Sequence, residues 1–179
     1  MKKITVPAAE QVSPESQELF GQLHKRMGKV PNLYATIGYS HHALKAFLEF
    51  DATLTKGVFN GKEREAIALV VSEVNQCEYC LAGHTLLAIK NGLSMDDTLN
   101  IRRGHVADKK LNTIVELAKS IAETKGMPDN GLLENFYEAG YNEGALMELI
   151  GLITVRIFTN YVYAMTNVPV DFPAAVALA

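Results

Sequence analysis

The sequence has little cysteine, no excess of basic charge and no long uninterrupted apolar run. Only two of its 179 residues are cysteines, too few for the disulfide framework of a small secreted protein. Seventeen Lys and Arg against twenty Asp and Glu give a net charge of −3, so there is no basic excess to neutralise a phosphate backbone. These absences exclude a disulfide scaffold and argue against a nucleic-acid partner.

No stretch is typical of export or of membrane insertion. The two N-terminal lysines are not followed by an apolar segment, which is unlike a secretory signal. The longest apolar stretch, residues 145–170, is interrupted by Glu148, Arg156 and Asn160, and such interruptions argue against a membrane span. We therefore expect a cytoplasmic protein in which this stretch is a buried helix.

The sequence does have helical periodicity. Hydrophobic residues make up 48% of the chain and recur at helical spacing between turn signals. No linker rich in Pro, Gly or Ser divides the chain, so residues 1–179 are expected to form a single all-α domain, a helical bundle. The predicted helices cover about residues 14–27, 40–56, 60–75, 76–91, 94–103, 108–125, 132–139 and 142–165.

A weak internal similarity relates residues 65–71 to residues 148–154, with Glu, Ile and Leu identical. If this is a degenerate repeat, Asn160 stands where the first copy has Cys77, and the second copy serves as scaffold without thiol chemistry. Two unrelated amphipathic helices can match equally well. The sequence leaves both interpretations open.

The chemistry is concentrated where Cys77, Cys80 and His84 lie at positions i, i+3 and i+7 of a predicted helix. This spacing places the three side chains on one face, with His84 leaning toward the turn that holds Cys80. A helix N-terminus or a nearby histidine lowers a thiol pKa and so favours the reactive thiolate. The helix terminus favours Cys77 as the low-pKa thiol, whereas His84 favours Cys80, and we follow His84.

Glu65 stands twelve residues before Cys77, near the start of the preceding helix. If the two helices fold back on each other, its carboxylate could orient His84 or accept a proton through it. Glu73 and Glu78 are competing carboxylates, and a glutamate in a first turn is often a solvated capping charge. Spacing alone does not decide among them.

Other interpretations of the cysteine pair are an inert packed pair and a zinc site, because C-x2-C-x3-H supplies three ligands of suitable type. No second cluster completes a zinc site, and the H-x-E of the zinc deaminases is missing. Tyr79, between the cysteines, either packs or donates a hydrogen bond to a substrate oxygen. The remaining histidines are scattered, which favours surface positions or helix caps: His24, His41, His42 and His105.

The motif resembles the alkylhydroperoxidase D (AhpD) core of the carboxymuconolactone decarboxylase superfamily. The family pattern is a glutamate, eleven residues and then C-x-x-C-x-x-x-H, which Glu65, Cys77, Cys80 and His84 match residue by residue. The flanking sequence is similar to the family core over about residues 40–105. The resemblance implies an AhpD-like all-helical fold that assembles into homo-oligomers.

The resemblance also implies a reaction that needs no bound cofactor and no metal. Cys80 would attack a hydroperoxide and become a sulfenic acid, and Cys77 would resolve it to an intramolecular disulfide. A dithiol, such as a thioredoxin or a lipoyl-type donor, would reduce that disulfide. Glu65 and His84 would form the proton relay.

We therefore expect a thiol-dependent peroxidase that reduces small alkyl or hydrogen peroxides. The alternative is a non-enzymatic redox sensor or regulatory oligomer that uses the same disulfide. The sequence departs from well-known members in having Tyr79 where they carry a second histidine, and the decarboxylase members generally lack the cysteine pair, which argues against lactone decarboxylation. Residues 149–155 are apolar enough for a subunit interface or for a buried core helix.

Overall fold

The computed structural model describes residues 4–178, and all of the regular structure in that range is helical. A single 3-10 turn, Ala9–Gln11, precedes the first α-helix. The α-helices of the described residues are α1 Pro14–Met27, α2 Asn32–Ile37, α3 His41–Leu54, α4 Gly61–Val74, α5 Glu78–Lys90, α6 Met95–Arg103, α7 Lys109–Thr124, α8 Asn130–Glu138 and α9 Glu143–Thr166. The predicted all-α class is confirmed.

Short polar side chains begin most of these helices. The Ser13 hydroxyl accepts a hydrogen bond from the Ser16 amide at the start of α1, with Pro14 at the first helical position. Ser94 and Asp97 form a reciprocal capping box at the start of α6. These signals are local, and for that reason the sequence predicts most helix starts to within two residues.

Helix α2 is absent from the predicted set. It has only six residues, less than two turns, so its sequence shows no clear periodicity and tertiary packing must stabilise it. Leu33, Ala35 and Ile37 supply that packing, since each is 6% exposed or less. The helix matters because Leu33 and Tyr34 help to form the candidate site described below.

Helix α4 lies at the centre of the fold. Its residues 66–71 are at most 1% exposed, and it packs against α5, α6, α7 and α9. A second group of buried residues, around Phe20, Leu44 and Phe47, joins α1 and α3 to α9. Because α4 and α5 pack closely over their length, residues of the two helices that are distant in sequence face each other.

Helix α9 is the only helix in residues 4–178 that is long and apolar enough by composition to cross a membrane. It packs instead against α3, α4 and α7, and two of its buried polar residues have partners inside the fold. Asn160 donates to the Ser72 hydroxyl at 3.2 Å, and Arg156 pairs with Asp51. Residues 149, 151–153 and 155 are buried within one chain, as expected of a core helix.

The two segments of the internal similarity differ in structure beyond the matching residues. Residues 65–71 and 148–154 are both helical, in α4 and α9 respectively. In the first segment the helix ends at Val74 and a new one begins at Glu78, whereas α9 continues without a break through Asn160. The turn that carries the cysteines therefore has no counterpart in α9.

Replacing Leu149 by Ala tests the core role of α9. Leu149 is fully buried, so truncation should lower the free energy of unfolding by about 2–5 kcal/mol, measured by urea denaturation. Met147 lies on the same helix but is 60% exposed, so Met147→Ala should change stability by no more than about 0.5 kcal/mol. Equal effects of the two substitutions would contradict the assignment.

Candidate active site

The site begins at the turn between α4 and α5. Gln76 adopts a left-handed conformation, with a φ of 52°, and the Cys77 amide donates to the Ser72 carbonyl oxygen at 2.9 Å. Cys77 is thereby placed as the N-cap of α5, where its sulfur accepts a hydrogen bond from the Cys80 amide at 3.3 Å. The helix thus starts two residues later than predicted, and Cys77 precedes it rather than belonging to it.

Cys80 lies in the first turn of α5, 4% exposed, with its sulfur facing α9. Its Sγ is 3.9 Å from the Thr159 Oγ1, and that hydroxyl donates its own proton to the Arg156 carbonyl oxygen. Both cysteines are free and buried.

The two thiols differ in acidity. A hydrogen bond from the Cys77 thiol lowers the pKa of Cys80, and His84 and the Asn160 and Thr159 side chains lower it further against the effect of burial. The same bond and burial raise the pKa of Cys77. Cys80 therefore has the lower pKa of the two thiols, as expected from His84 and not from the helix terminus. The main cause is the hydrogen bond that the Cys77 thiol donates to Cys80.

His84 meets the carboxylate that the sequence singled out. Its Nδ1 lies 2.8 Å from the Glu65 Oε2, and both side chains are 14% exposed. The competing Glu73 binds Arg102 at 2.7 Å instead, and Glu78 is exposed. The structure therefore brings Glu65, and neither competitor, to the histidine.

Arg156, on α9, is a member of this cluster that sequence reasoning missed. It is 8% exposed, pairs with the Asp51 carboxylate on α3, and places its Nη1 3.3 Å from the His84 Nε2. Sequence reasoning treated Arg156 only as an interruption of an apolar run. A lone charge in such a run could have marked it, because a buried charge needs partners.

A cavity of about 160 Å³ opens beside Cys80. A cavity of about this size lined by apolar side chains accommodates a benzene ring. Its polar groups are concentrated at one end and its walls are largely apolar. The polar end has Cys80, His84, Arg156 and Thr159, and the walls include Leu33, Tyr34, Leu86, Leu87 and Phe172.

The Tyr79 hydroxyl is engaged within the protein. It donates to the Asp171 Oδ1 at 2.5 Å and accepts from the Leu33 amide at 3.2 Å. Lys29 also pairs with Asp171, and its Nζ lies 4.0 Å from the centre of the Phe172 ring. Of the two roles considered for Tyr79, the geometry supports packing and anchoring of the C-terminal segment.

Within residues 4–178 no group of three or more His, Cys, Asp and Glu side chains is placed to hold a metal ion. Both ring nitrogens of His84 already have protein partners, so this residue has no free nitrogen for a metal. The other histidines lie away from the cysteines, with His41 half-buried and three exposed: His24, His42 and His105.

Comparison with known proteins finds a similarity to one family over part of the chain. Residues 41–124 match the model of the carboxymuconolactone decarboxylase family, and this segment contains Glu65, Cys77, Cys80 and His84. Over this segment the chain is similar to that family, and the match does not extend to the residues on either side of it. No curated protein matches the sequence.

Several solved structures share the fold. A peroxidase-related protein from Silicibacter sp. TM1040 is 23% identical, with a TM-score of 0.75 over 97% of this chain and 93% of that chain. An AhpD-core protein from Ralstonia eutropha JMP134 is 16% identical, with a TM-score of 0.78 over 89% and 86%. A cysteine-to-alanine variant of the debrominase Bmp8, in complex with 2,3,4-tribromopyrrole, is 16% identical, with a TM-score of 0.80 over 96% and 92%.

The pH dependence of alkylation tests the thiol assignment. The rate of iodoacetamide labelling follows the thiolate fraction, so it falls as pH drops through the pKa of Cys80. We expect a midpoint below the usual thiol value of about 8.5, with labelling at Cys80 rather than Cys77. Cys77→Ala removes the main lowering cause and should shift the midpoint upward.

Cys77→Ser is the matched control, because a serine hydroxyl retains a hydrogen-bond donor at that position. Its midpoint should stay closer to the wild-type value than that of Cys77→Ala. Identical midpoints in the wild type and Cys77→Ala would show that the Cys77 hydrogen bond does not set the acidity of Cys80.

Proposed function

We propose that the protein is a thiol-dependent peroxidase that reduces small alkyl or hydrogen peroxides through Cys80 and Cys77. The observation that carries the proposal is the position of Cys80, a thiol of lowered pKa at the polar end of a cavity, beside the hydrogen-bonded pair His84 and Glu65. A thiolate is the nucleophile of peroxide reduction, and a cavity gives a small molecule access to it.

In the first step the Cys80 thiolate attacks the terminal oxygen of a hydroperoxide ROOH. A sulfur–oxygen bond forms, the oxygen–oxygen bond breaks, and its electron pair leaves with the RO⁻ oxygen. The proton that Cys80 lost on ionising passes by way of His84 to this oxygen and gives ROH. Sulfur is oxidised to a sulfenic acid and the peroxide is reduced. Glu65 stabilises the charge that His84 acquires while it holds the proton.

In the second step the Cys77 sulfur attacks the sulfenic sulfur, and water leaves as the disulfide forms. The turn before α5 favours this step because it holds Cys77 within one helical turn of Cys80, close enough for its thiol to act as a donor to Cys80. A dithiol then reduces the disulfide by exchange and becomes a disulfide itself. The resemblance supports a thioredoxin or a lipoyl-type donor for this role.

A second candidate is reductive dehalogenation of an aromatic compound. Here two thiols would give two electrons, a proton would replace the halogen on the ring, and halide and a disulfide would be the other products. The ring-sized apolar cavity beside Cys80 favours it, together with the likeness in fold to Bmp8. Incubating the reduced protein with a brominated pyrrole and measuring bromide distinguishes the two activities.

The third candidate is a redox sensor in which the disulfide changes assembly without turnover. We expect homo-oligomers in either case. Turnover of hydroperoxide with a dithiol donor favours the enzyme, whereas a change in oligomer size on oxidation without turnover favours the sensor. Sedimentation of the reduced and oxidised protein, together with a donor-coupled assay, separates them.

Cysteine variants test the order of the two thiols. Treated with one equivalent of tert-butyl hydroperoxide, the wild-type protein should form a Cys77–Cys80 disulfide, detected by mass spectrometry. Cys80→Ser should abolish turnover, and Cys77→Ser should accumulate a sulfenic acid on Cys80 that a dimedone probe traps. Trapping confined to Cys77 in Cys80→Ser, with none in Cys77→Ser, would reverse the assignment.

Glu65→Gln tests the relay. The amide keeps the size of the side chain but loses the charge that stabilises protonated His84, so peroxide consumption should fall by about 10- to 100-fold. The matched control is Glu73→Gln on the same helix, which loses a charge that faces Arg102 and should retain the wild-type rate. A wild-type rate in folded Glu65→Gln would remove Glu65 from the relay.

A further inference from the structure

Arg156 occupies a position that the two-cysteine reaction does not explain. Arg156 lines the cavity together with Cys80 and Thr159, and its Nη1 lies 3.3 Å from the Nε2 of His84, another lining residue. Most of the other lining residues are apolar. The Arg156 side chain is 8% exposed, so its charge is removed from water and must be compensated by the protein. Asp51, on α3, provides that compensation through the Nη2.

The contact between Arg156 and His84 fixes the state of the imidazole. A guanidinium has only donors, so the His84 Nε2, 3.3 Å from the Arg156 Nη1, must be the acceptor. The Nε2 then carries no proton, and the Nδ1 hydrogen donates to the Glu65 Oε2 at 2.8 Å. In the reduced protein His84 is therefore the neutral tautomer with its proton on Nδ1.

This arrangement has a consequence for proton transfer. The Nε2 has one lone pair, so His84 can take up a proton there only if Arg156 gives up its contact. When that happens, one N–H of Arg156 has lost its acceptor inside the cavity. The group that develops negative charge at the same time is the departing oxygen of the hydroperoxide.

We propose that Arg156 is a catalytic residue that donates a hydrogen bond to the RO⁻ oxygen as the oxygen–oxygen bond breaks. The inference rests on the proposed peroxidase function. The electron pair of the broken bond stays on the RO⁻ oxygen, the sulfenic oxygen stays on Cys80, and the proton held at His84 Nε2 then passes to RO⁻ to give ROH. Arg156 returns to the His84 Nε2 when ROH leaves.

Asp51 is a positioning residue in this scheme. It binds the Nη2 and leaves the Nη1 to alternate between His84 and the leaving oxygen. Its carboxylate also offsets a charge that would otherwise be buried alone. Donors that are held in place in a site of low dielectric stabilise developing charge more than mobile ones do, because they need no reorganisation.

The test compares two reactions of Cys80 in wild type and Arg156→Met. The rate of Cys80 oxidation by tert-butyl hydroperoxide, followed by stopped-flow at neutral pH, should fall by about 100-fold, the usual effect of removing one such donor. Alkylation by iodoacetamide at the same pH should change by less than about threefold, since iodide leaves without needing a donor to oxygen.

Two further variants separate chemistry from structure. Arg102 is also buried, 6% exposed, and also paired with a carboxylate, Glu73, but it does not line the cavity. In Arg102→Met, tert-butyl hydroperoxide should therefore oxidise Cys80 at the wild-type rate, even if this variant is less stable than the wild type. Arg156→Lys keeps the charge with a single-point donor and should recover part of the lost rate.

A spectroscopic measurement tests the resting contact without any peroxide. Nitrogen-15 NMR of the reduced wild-type protein should show the His84 proton on Nδ1 and an unprotonated Nε2. The opposite tautomer would overturn the proposed resting state, and with it the exchange of partners at Arg156.

The kinetic outcomes distinguish this inference from the function on which it rests. If hydroperoxide oxidises the wild type and Arg156→Met at equal rates, the role of Arg156 is overturned and the peroxidase function stands. If oxidation and alkylation fall together in Arg156→Met, Arg156 acts on the thiol or the fold, and the role is again overturned. If hydroperoxide does not oxidise the wild type, both proposals are overturned.

Discussion

The candidate site depends on one hydrogen-bonded turn, the change of direction between α4 and α5. The Cys77 amide binds back to Ser72, and the Cys77 sulfur caps the next helix by accepting from the Cys80 amide. This turn makes the two thiols unequal in acidity. Cys77 caps the helix and its thiol donates a hydrogen bond to Cys80, which lowers the pKa of Cys80. The turn also lets α5 return along α4, which brings His84 to Glu65 across nineteen residues of sequence.

The remaining charges reach the site from other helices. Helix α9 supplies Arg156 and Thr159, and α3 supplies Asp51, so together with α4 and α5 four helices contribute to one network around His84. Each buried charge has a partner of opposite sign or a hydrogen bond, which is the condition for keeping it in an apolar core. The polar residues that interrupt the apolar run of α9 are thus the ones that bind inside the fold.

The sequence predicts local features well and long-range ones poorly. Caps such as Ser13 and Ser94 are read from neighbours three residues away, so most helices are predicted close to their true starts. The i, i+3, i+7 spacing likewise places the thiols and His84 on one side of the chain. Helix α2 lacks a periodic signal, and the approach of Arg156 to His84 depends on how α9 packs against α5, which no local pattern encodes. Glu65 lies between these two cases. Its spacing in the sequence made it one of three candidate carboxylates, and the packing of α4 against α5 brings it, and neither of the others, to His84.

The candidate site is divided along the chain between the segment that matches the family and the segments on either side of it. The four motif residues lie inside residues 41–124, the segment that matches the family. Much of the cavity lining lies outside it, in α2, α9 and the C-terminal segment, through Leu33, Arg156 and Phe172. In the proposed function the thiol chemistry therefore belongs to the segment that matches the family, and many of the groups that a substrate would meet belong to segments outside it. In this chain those segments place a buried guanidinium and an aromatic wall beside the thiol, so in the proposed function a substrate in the cavity would meet both.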